Sequence, residues 1–331
     1  MMHFQNNPEA DFALKAVRQA ALLVRQVQKE LVSPAMTKED RSPVTVADFA
    51  SQALVGRLLA ETFPQDPLVA EEDSVTLREH ANGDTLQRVT QFVQRSASQA
   101  TPERVCAWID HGRVDSAARF WTLDPIDGTK GFLRGEQYAV ALALVVNGQV
   151  LVGALGCPNI TDGGRPELGG PGSLVIAVHD QGTWSTSLEN PGEFKPLQVS
   201  ARSEPRQARI LRSVEAGHTN VSQIDTFAQA LKVQADPLRM DSQAKYAVLA
   251  AGEGELILRL LSPSKPDYKE KIWDHAAGSL VLQEAGGRIT DLGGNPLDFT
   301  SGRMLVNNRG VLASNGLVHT AALNALQAIG A

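Results

Sequence analysis

Asp124 and Asp127 flank the pair Pro125-Ile126, directly after an apolar run and directly before Gly128 and Thr129. Proline fixes its own φ at about −65° and pushes the residue before it toward extended geometry, while glycine permits a turn closed to residues with a Cβ. Both carboxylates are therefore placed on a stiff bend. Two acids so placed can converge on a hard divalent cation, and the backbone NH groups of Gly128 and Thr129, if they open a helix, point where an anion would lie. The same residues also fit an Asx turn with Asp127 as an ordinary helix cap, since Asp and Gly both favour turns. Partners elsewhere in the chain must decide between the two.

Such partners occur on both sides. Upstream, the short apolar stretch Leu68-Val69-Ala70 ends in three consecutive acids, Glu71, Glu72 and Asp73, whose mutual repulsion must be relieved by cations or by solvent. Downstream, Asp274 opens a helical pattern (Ala277, Leu280, Val281, Glu284) that stops at Gly286-Gly287, and taken alone it reads as an N-cap. Asp48, three residues after Thr45, fits a capping box. Three cationic side chains have equally plain readings: His218 as a turn residue, Lys245 as a surface helix residue, and Arg259 as an exposed member of an alternating strand.

The order Glu71-Glu72, then Asp124-Pro125-Ile126-Asp127-Gly128-Thr129, then Trp273-Asp274-His275-Ala276-Ala277-Gly278 resembles the magnesium-dependent, lithium-sensitive phosphomonoesterases related to inositol monophosphatase. The longer string from Asp124 through Lys130-Gly131-Phe132-Leu133-Arg134-Gly135 to Val140 resembles one branch of them, the 3′(2′),5′-bisphosphate nucleotidases. Residues 42–48, 213–218, 241–246 and 258–260 extend the resemblance along nearly the whole chain. It implies a two-domain layered α/β/α/β/α sandwich, as in inositol monophosphatase and fructose-1,6-bisphosphatase, with the site between the domains. It further implies two to three Mg²⁺ ions: Glu71, Asp124 and the Ile126 carbonyl at the first, Asp124, Asp127 and Asp274 at the second, and Glu71 through water at a weaker third. Thr129, oriented by Asp48, would help activate the attacking water, with Glu71 also in a catalytic role. Gly128 and Thr129 would hold the phosphate being cleaved, and His218, Ser242, Lys245 and Arg259 would contact the nucleotide. The reaction implied is hydrolysis of adenosine 3′,5′-bisphosphate, or its sulfated analogue, to the 5′-nucleotide and phosphate. Phosphomonoester hydrolysis needs a barrier reduction of up to about 20 kcal/mol or more, and hard oxygen ligands suit Mg²⁺ for the task. An inositol mono- or polyphosphate phosphatase using the same metals, and a catalytically silent nucleotide or Mg²⁺ sensor, are the competing readings. Lys130 and the Asp241-Ser242-Gln243-Ala244-Lys245 string speak for the nucleotidase.

The elements that must position these residues follow from pattern. Pro8 with Phe12, Val17, Ala20, Leu23, Val24, Val27 and Leu31 predicts a long amphipathic helix, and a second is expected from Thr45 to the Phe63-Pro64 break. Residues 75–102 are polar with some helical pattern and are expected to be a surface insertion. Strands are predicted over 105–109, 120–123, 139–147, 150–157 and 174–179, split by turns such as Asn147-Gly148 and Gly163-Gly164, which together suggest an antiparallel sheet. Past a Pro/Gly-rich segment at 189–196, strands (210–214, 256–260, 288–290, 311–313) alternate with helices (221–231, 244–251, 274–285, 317–329), the mark of an α/β unit. The expected domains are 1–200 and 201–331, with the boundary near 198–204.

Composition sets outer limits. The chain has 331 residues, 43% of them apolar, enough for two domains with large cores. No apolar stretch approaches the roughly 20 residues of a membrane span, and a cytoplasmic protein is expected. Cys106 and Cys157 have neither metal spacing nor a disulfide framework and are expected to be reduced. A net charge of −6 argues against a nucleic-acid partner, whereas one small anionic substrate needs only local cations. No Gly-x-Gly-x-x-Gly follows a predicted strand, which leaves a dinucleotide dehydrogenase without support. Monomer and homodimer both remain open.

Overall fold

The structure, a computed structural model, describes residues 7–32, 42–115, 117–214, 221–262 and 265–331. Helix α1 (Pro8–Leu31) begins as predicted, with the Asn7 side chain accepting from the Ala10 NH at 3.0 Å and Pro8 in the first turn. Helix α2 (Ser42–Thr62) begins three residues before Thr45, so Thr45 lies inside the first turn and the predicted capping box does not form. The overlooked start signal was Pro43, whose fixed φ suits the first helical turn.

Two further expectations are corrected before the first long strand. After β1 (Leu68–Ala70), the supposed surface insertion contains α3 (Gly83–Gln94), which buries Val89, Phe92 and Val93 in the same core as α1 and α2. Its apolar residues recur at helical spacing in an otherwise polar segment, so one face suffices to anchor it. Residues 105–109, expected as a strand, belong to α4 (Pro102–Asp110). Thr101 caps it by accepting from the Arg104 NH, and Val105, Cys106 and Ile109 form its buried stripe.

The chain continues through β2 (Arg119–Asp127), α5 (Thr129–Arg134), β3 (Ala139–Val146) and β4 (Gln149–Cys157). A two-strand ribbon, β5 (Ile160–Thr161) with β6 (Arg165–Pro166), precedes β7 (Ser173–Val178), β8 (Thr183–Ser187) and β9 (Lys195–Leu197). Then follow β10 (Ile210–Arg212), α6 (Val221–Ala230), β11 (Leu238–Arg239), α7 (Ala244–Ala250) and β12 (Leu256–Arg259). The last elements are α8 (Ala276–Glu284), β13 (Arg288–Thr290), β14 (Val311–Ser314) and α9 (His319–Ala328).

Among the described residues the strands form a seven-stranded sheet in the order β1-β2-β3-β4-β7-β8-β9 and a five-stranded sheet in the order β11-β10-β12-β14-β13. Alternation along the first sheet divides its side chains between two cores. Trp121, Leu123, Leu142 and Leu144 pack with α1, α2 and α3, while Phe120, Ala141, Ala143 and Val145 face α7 and α8. The second sheet repeats the division: Leu211, Ile257 and Val311 face α7 and α8, while Ile210, Leu256 and Leu312 pack against Phe227 of α6 and Leu326 of α9. Three cores between five layers give the expected α/β/α/β/α stack. Each fully buried Leu or Phe in them contributes about 1.5–3 kcal/mol of transfer free energy. No helix of the described residues is long and apolar enough to cross a membrane. Cys106 and Cys157 are both buried and outside any disulfide, and burial pushes the Cys157 thiol up to about 12.

Candidate active site

The regular pairing of β2 with β3 breaks where the two acids lie. Asp124 pairs with Ala141 and Asp127 with Ala139, so Pro125 and Ile126 are accommodated in an irregularity of the register. Proline cannot donate to the ladder, and a bulge of this kind re-aims side chains at the end of a strand. The chain then turns through Gly128 at φ 91°, where a Cβ would lie 2.7 Å from the Ser242 Cβ. Glycine is required there by both backbone and space. Helix α5 starts immediately afterwards with Thr129, and Asp127 does not cap it: its Oδ2 instead accepts from the Gln243 NH at 2.7 Å.

Helix α2 supports this bend and the upstream acids together. Asp48, Ser51 and Gln52 lie at i, i+3 and i+4 and are all buried. Ser51 Oγ donates to the Pro125 carbonyl at 3.0 Å, while Gln52 donates to the Glu72 carbonyl at 2.6 Å and accepts from the Glu72 NH at 3.0 Å. Ser51 and Gln52 were missed by sequence reasoning, although a polar stripe on an otherwise apolar helix was a visible signal. Arg303 secures the same loop from the other side by donating to the Ala70 carbonyl, with its guanidinium 4.7 Å from the Trp273 ring centroid.

These elements close around a cavity of about 300 Å³. Every predicted site residue lines it except two: Glu71, Asp124, Ile126, Asp127, Gly128 and Thr129 come from the first sheet and its loops, and Ser242, Lys245, Arg259 and Asp274 from the second half. Asp48 lies behind the acid wall, 5% exposed, within electrostatic reach of Glu71 and Glu72. His218 lies outside the described residues. Asp274 follows Trp273 in a single 3₁₀ turn ahead of α8, and it does not cap that helix, whose preceding residue is His275.

The acid wall is only partly relieved by nearby cations. Burial, then repulsion from Glu71, Asp127, Asp274 and Asp48, pushes the Asp124 carboxyl well above the usual carboxylate range. Burial and Asp127 do the same to Asp274, against the opposing pull of Arg259, and burial followed by Glu72 and Glu71 raises Asp48. Glu71 presents surface to solvent, but its carboxyl is crowded by protein. Burial, Glu72 and Asp127 push it up to about 7, although Lys271 and Arg303 pull the other way. Asp124 Oδ1 and Asp48 Oδ1 are buried without a hydrogen-bond partner. Unpaired buried carboxylate oxygens are costly, and cations are the natural remedy. The oxygen-only donor set of this wall fits hard divalent ions. Among the described residues, triads whose ligand atoms lie within 4.8 Å of one another are Glu270–Asp274–His275, beside the cavity, and His179–Asp180–Glu284, away from it. No triad drawn from Glu71, Asp124, Asp127 and Asp274 closes to that spacing.

The same cavity is also lined by cations. Lys245 is 6% exposed, not a surface residue, and its Nζ donates to Ser213 Oγ at 3.1 Å; burial and then Arg259 lower it to about 8. Arg259, at the end of β12, pairs with Glu270 at 2.9 Å and approaches Asp274 at 3.8 Å, so its exposed-strand reading also fails. Glu270 also accepts from His275 Nε2 at 3.2 Å, and His275 Nδ1 meets the Tyr246 hydroxyl at 2.8 Å. This chain of buried polar groups beneath Arg259 gave no sequence signal, because its members become neighbours only when the loop before α8 folds over α7. A small cavity lined by clustered acids and by buried cations can hold metal-bound phosphate together with a second anionic group.

Comparison with known proteins places the chain in a family. The family model described as Inositol monophosphatase family matches residues 5–330. A 3′(2′),5′-bisphosphate nucleotidase of Schizosaccharomyces pombe is 44% identical over 92% of this chain and 91% of its own, and one of Oryza sativa is 42% identical over 95% and 92%. The solved inositol monophosphatase from Anabaena (Nostoc) sp. PCC 7120 shares the fold, with a TM-score of 0.62 at 21% identity, covering 97% of this chain and 95% of that one. On a match spanning almost every residue and relatives this similar from end to end, the chain belongs to the inositol monophosphatase family.

Proposed function

We propose that the protein is a Mg²⁺-dependent phosphomonoesterase that hydrolyses adenosine 3′,5′-bisphosphate, and its 5′-phosphosulfate analogue, to the corresponding 5′-nucleotide and phosphate. The observation that carries this reading is one cavity lined both by a cluster of buried acids, with Asp124 Oδ1 unpartnered, and by the buried cations Lys245 and Arg259. The names of relatives 38–44% identical over most of the chain supply the substrate class. A phosphatase of inositol monophosphate has only one phosphate to hold, whereas a nucleoside bisphosphate brings a second that is retained. Lys245 and Arg259, which line the cavity, would meet such a group.

In this reading Glu71, Asp124 and the Ile126 carbonyl would hold one cation, Asp124, Asp127 and Asp274 would hold a second, and Glu71 would help hold a weaker third. When bound, such ions neutralise phosphate charge and acidify a coordinated water. The chain's own groups do the rest. Thr129, oriented by Asp48, takes part in accepting the proton of the attacking water. The NH groups of Gly128 and Thr129 hold the phosphate being cleaved, and Ser242, Lys245, Arg259 and His218 hold the nucleotide. The chain divides near residues 198–204 into two domains, the first carrying most of the acids and the second Asp274 and the nucleotide contacts. A cytoplasmic location is part of the same proposal.

Phosphate release from adenosine 3′,5′-bisphosphate and from inositol 1-phosphate, measured side by side with Mg²⁺ and with a chelator, tests the proposal. Release from the bisphosphate in Mg²⁺ alone is expected. Preference for inositol 1-phosphate would move the protein to the competing branch, and activity independent of divalent ions would sink the mechanism.

A further inference from the structure

Gln243 occupies the middle of the Asp241–Lys245 string and is only 1% exposed. Besides accepting from the Tyr246 NH at its carbonyl, at 2.9 Å, it makes three bonds to other elements. Its backbone NH donates to Asp127 Oδ2 at 2.7 Å, its Nε2 donates to the Trp273 carbonyl at 2.9 Å, and its Oε1 accepts from the Gly278 NH at 3.1 Å. Asp127 ends β2 of the first sheet, whereas Trp273 directly precedes Asp274, and Gly278 belongs to α8. One residue at the start of α7 therefore grips the carboxylate of one acid and the backbone carrying the other. A neutral amide can donate to a carbonyl and accept from an NH at once, which no apolar side chain of that length can do and no carboxylate can do while ionised. The two helices it joins have no slack, since a Cβ on Gly278 would lie 2.1 Å from the Tyr246 ring of α7.

We propose that Gln243 is a positioning residue that sets the separation and orientation of Asp127 and Asp274, and through them the affinity for the cation these acids share. The inference rests on the metal-dependent reading above. It assigns Gln243 no contact with substrate, so its loss acts on cation binding and leaves recognition of the nucleotide intact. Outer partners that orient metal ligands typically change affinity by about 10- to 100-fold when removed.

Mn²⁺ binding followed by electron paramagnetic resonance, together with thermal unfolding, separates this from an ordinary helix-to-helix bond. Gln243→Met keeps the backbone bond to Asp127 and removes both side-chain bonds at similar length. Ser279→Ala is the control, because it removes another buried bond of α8, from Ser279 Oγ to the Ala276 carbonyl at 2.8 Å, without touching either acid. Gln243→Met should weaken Mn²⁺ about tenfold, raise the Mg²⁺ needed for half-maximal rate by a similar factor, and leave the substrate KM at saturating Mg²⁺ unchanged. Ser279→Ala should lower Tm alone. Should the Met variant fail to fold, Gln243→Asn, an amide too short to span both partners, is read in its place with the same expectation. Unchanged Mn²⁺ affinity in the Gln243 variant, or equal weakening in Ser279→Ala, overturns the proposal. An unaltered chain that binds no Mn²⁺ overturns the metal reading, and this inference with it.

Discussion

Two regions of this molecule bury charged and polar groups to the same depth and treat them in opposite ways. Beside the second sheet, the Glu255 side chain has no solvent exposure, yet it accepts from Ser200 Oγ at 2.7 Å, Arg202 at 2.8 Å and the Arg209 NH at 2.6 Å. His319, equally buried, lies between Thr290 Oγ1 at 3.0 Å and Ser314 Oγ at 2.9 Å. In the cleft, Asp124 is 2% exposed with one oxygen unpartnered, and its neighbours are further acids. Where the fold supplies every partner, a buried polar group is architecture. Where it supplies none, stability is given up locally and the missing partner must come from outside the chain.

The sharpest way to break this contrast is to neutralise one member of each region. Asp124→Asn should cut phosphate release by at least about 10³-fold, since on the proposed reading Asp124 would serve both cations. In chelator the same variant should unfold at a higher temperature than the unaltered chain, because a repelled buried charge has gone. Undiminished turnover would remove Asp124 from the mechanism, and a lower Tm would show that its charge is already compensated. Glu255→Ala should do the reverse. It strands Arg202 and the Arg209 NH, costing about 3 kcal/mol in denaturant unfolding, while the kcat of folded enzyme stays constant. Among the cations of the cavity, Arg259→Ala should raise the KM for adenosine 3′,5′-bisphosphate roughly tenfold and that for a smaller phosphomonoester less. Equal losses on both substrates would count against a nucleotide-specific role.

The same contrast explains what could be read from the sequence. The β3–β4 hairpin was legible because Asn147-Gly148 adopts positive φ at both positions, 50° and 79°, between two long apolar runs. Local chemistry sufficed there. Residues 105–109 misled because five apolar residues fit a strand as well as a helix turn, and the cap at Thr101 with Pro102 was the better guide. Within the cleft, the bend at 124–128 advertised itself through Pro125 and Gly128, but its association with Glu71 and Asp274 came only from resemblance, since nothing local links such distant positions. Glu270, Gln243 and Arg303 were illegible for a deeper reason. Their roles are bonds to backbone and side chains of other layers, set by how α7, α8 and the loop at 298–310 dock, and one-dimensional spacing holds no record of that docking.

The smallest effect lies in the pH dependence, where the two regions carry opposite signs. Burial, with Arg288 adding to it, lowers His319 to about 4 from an ordinary 6.5. The folded form therefore takes up its proton later than the unfolded chain as pH falls. The stabilisation from keeping this imidazole neutral is complete above 6.5 and is lost progressively toward 4. Glu71 runs the other way: with its carboxyl pushed up to about 7, the folded protein binds a proton more readily than the unfolded chain, so in chelator its contribution falls as pH rises from 4.5 toward 7. A bare stability curve would mix the two. Comparing the unaltered chain with His319→Gln at pH 6.5 and 5.5, both in chelator, cancels the cleft and leaves the histidine. The unaltered chain should lose about 1 kcal/mol more than the variant over that unit. Parallel curves would mean that His319 is not held neutral by its burial between Thr290 and Ser314, and the satisfied region would then resemble the cleft more closely than its hydrogen bonds suggest.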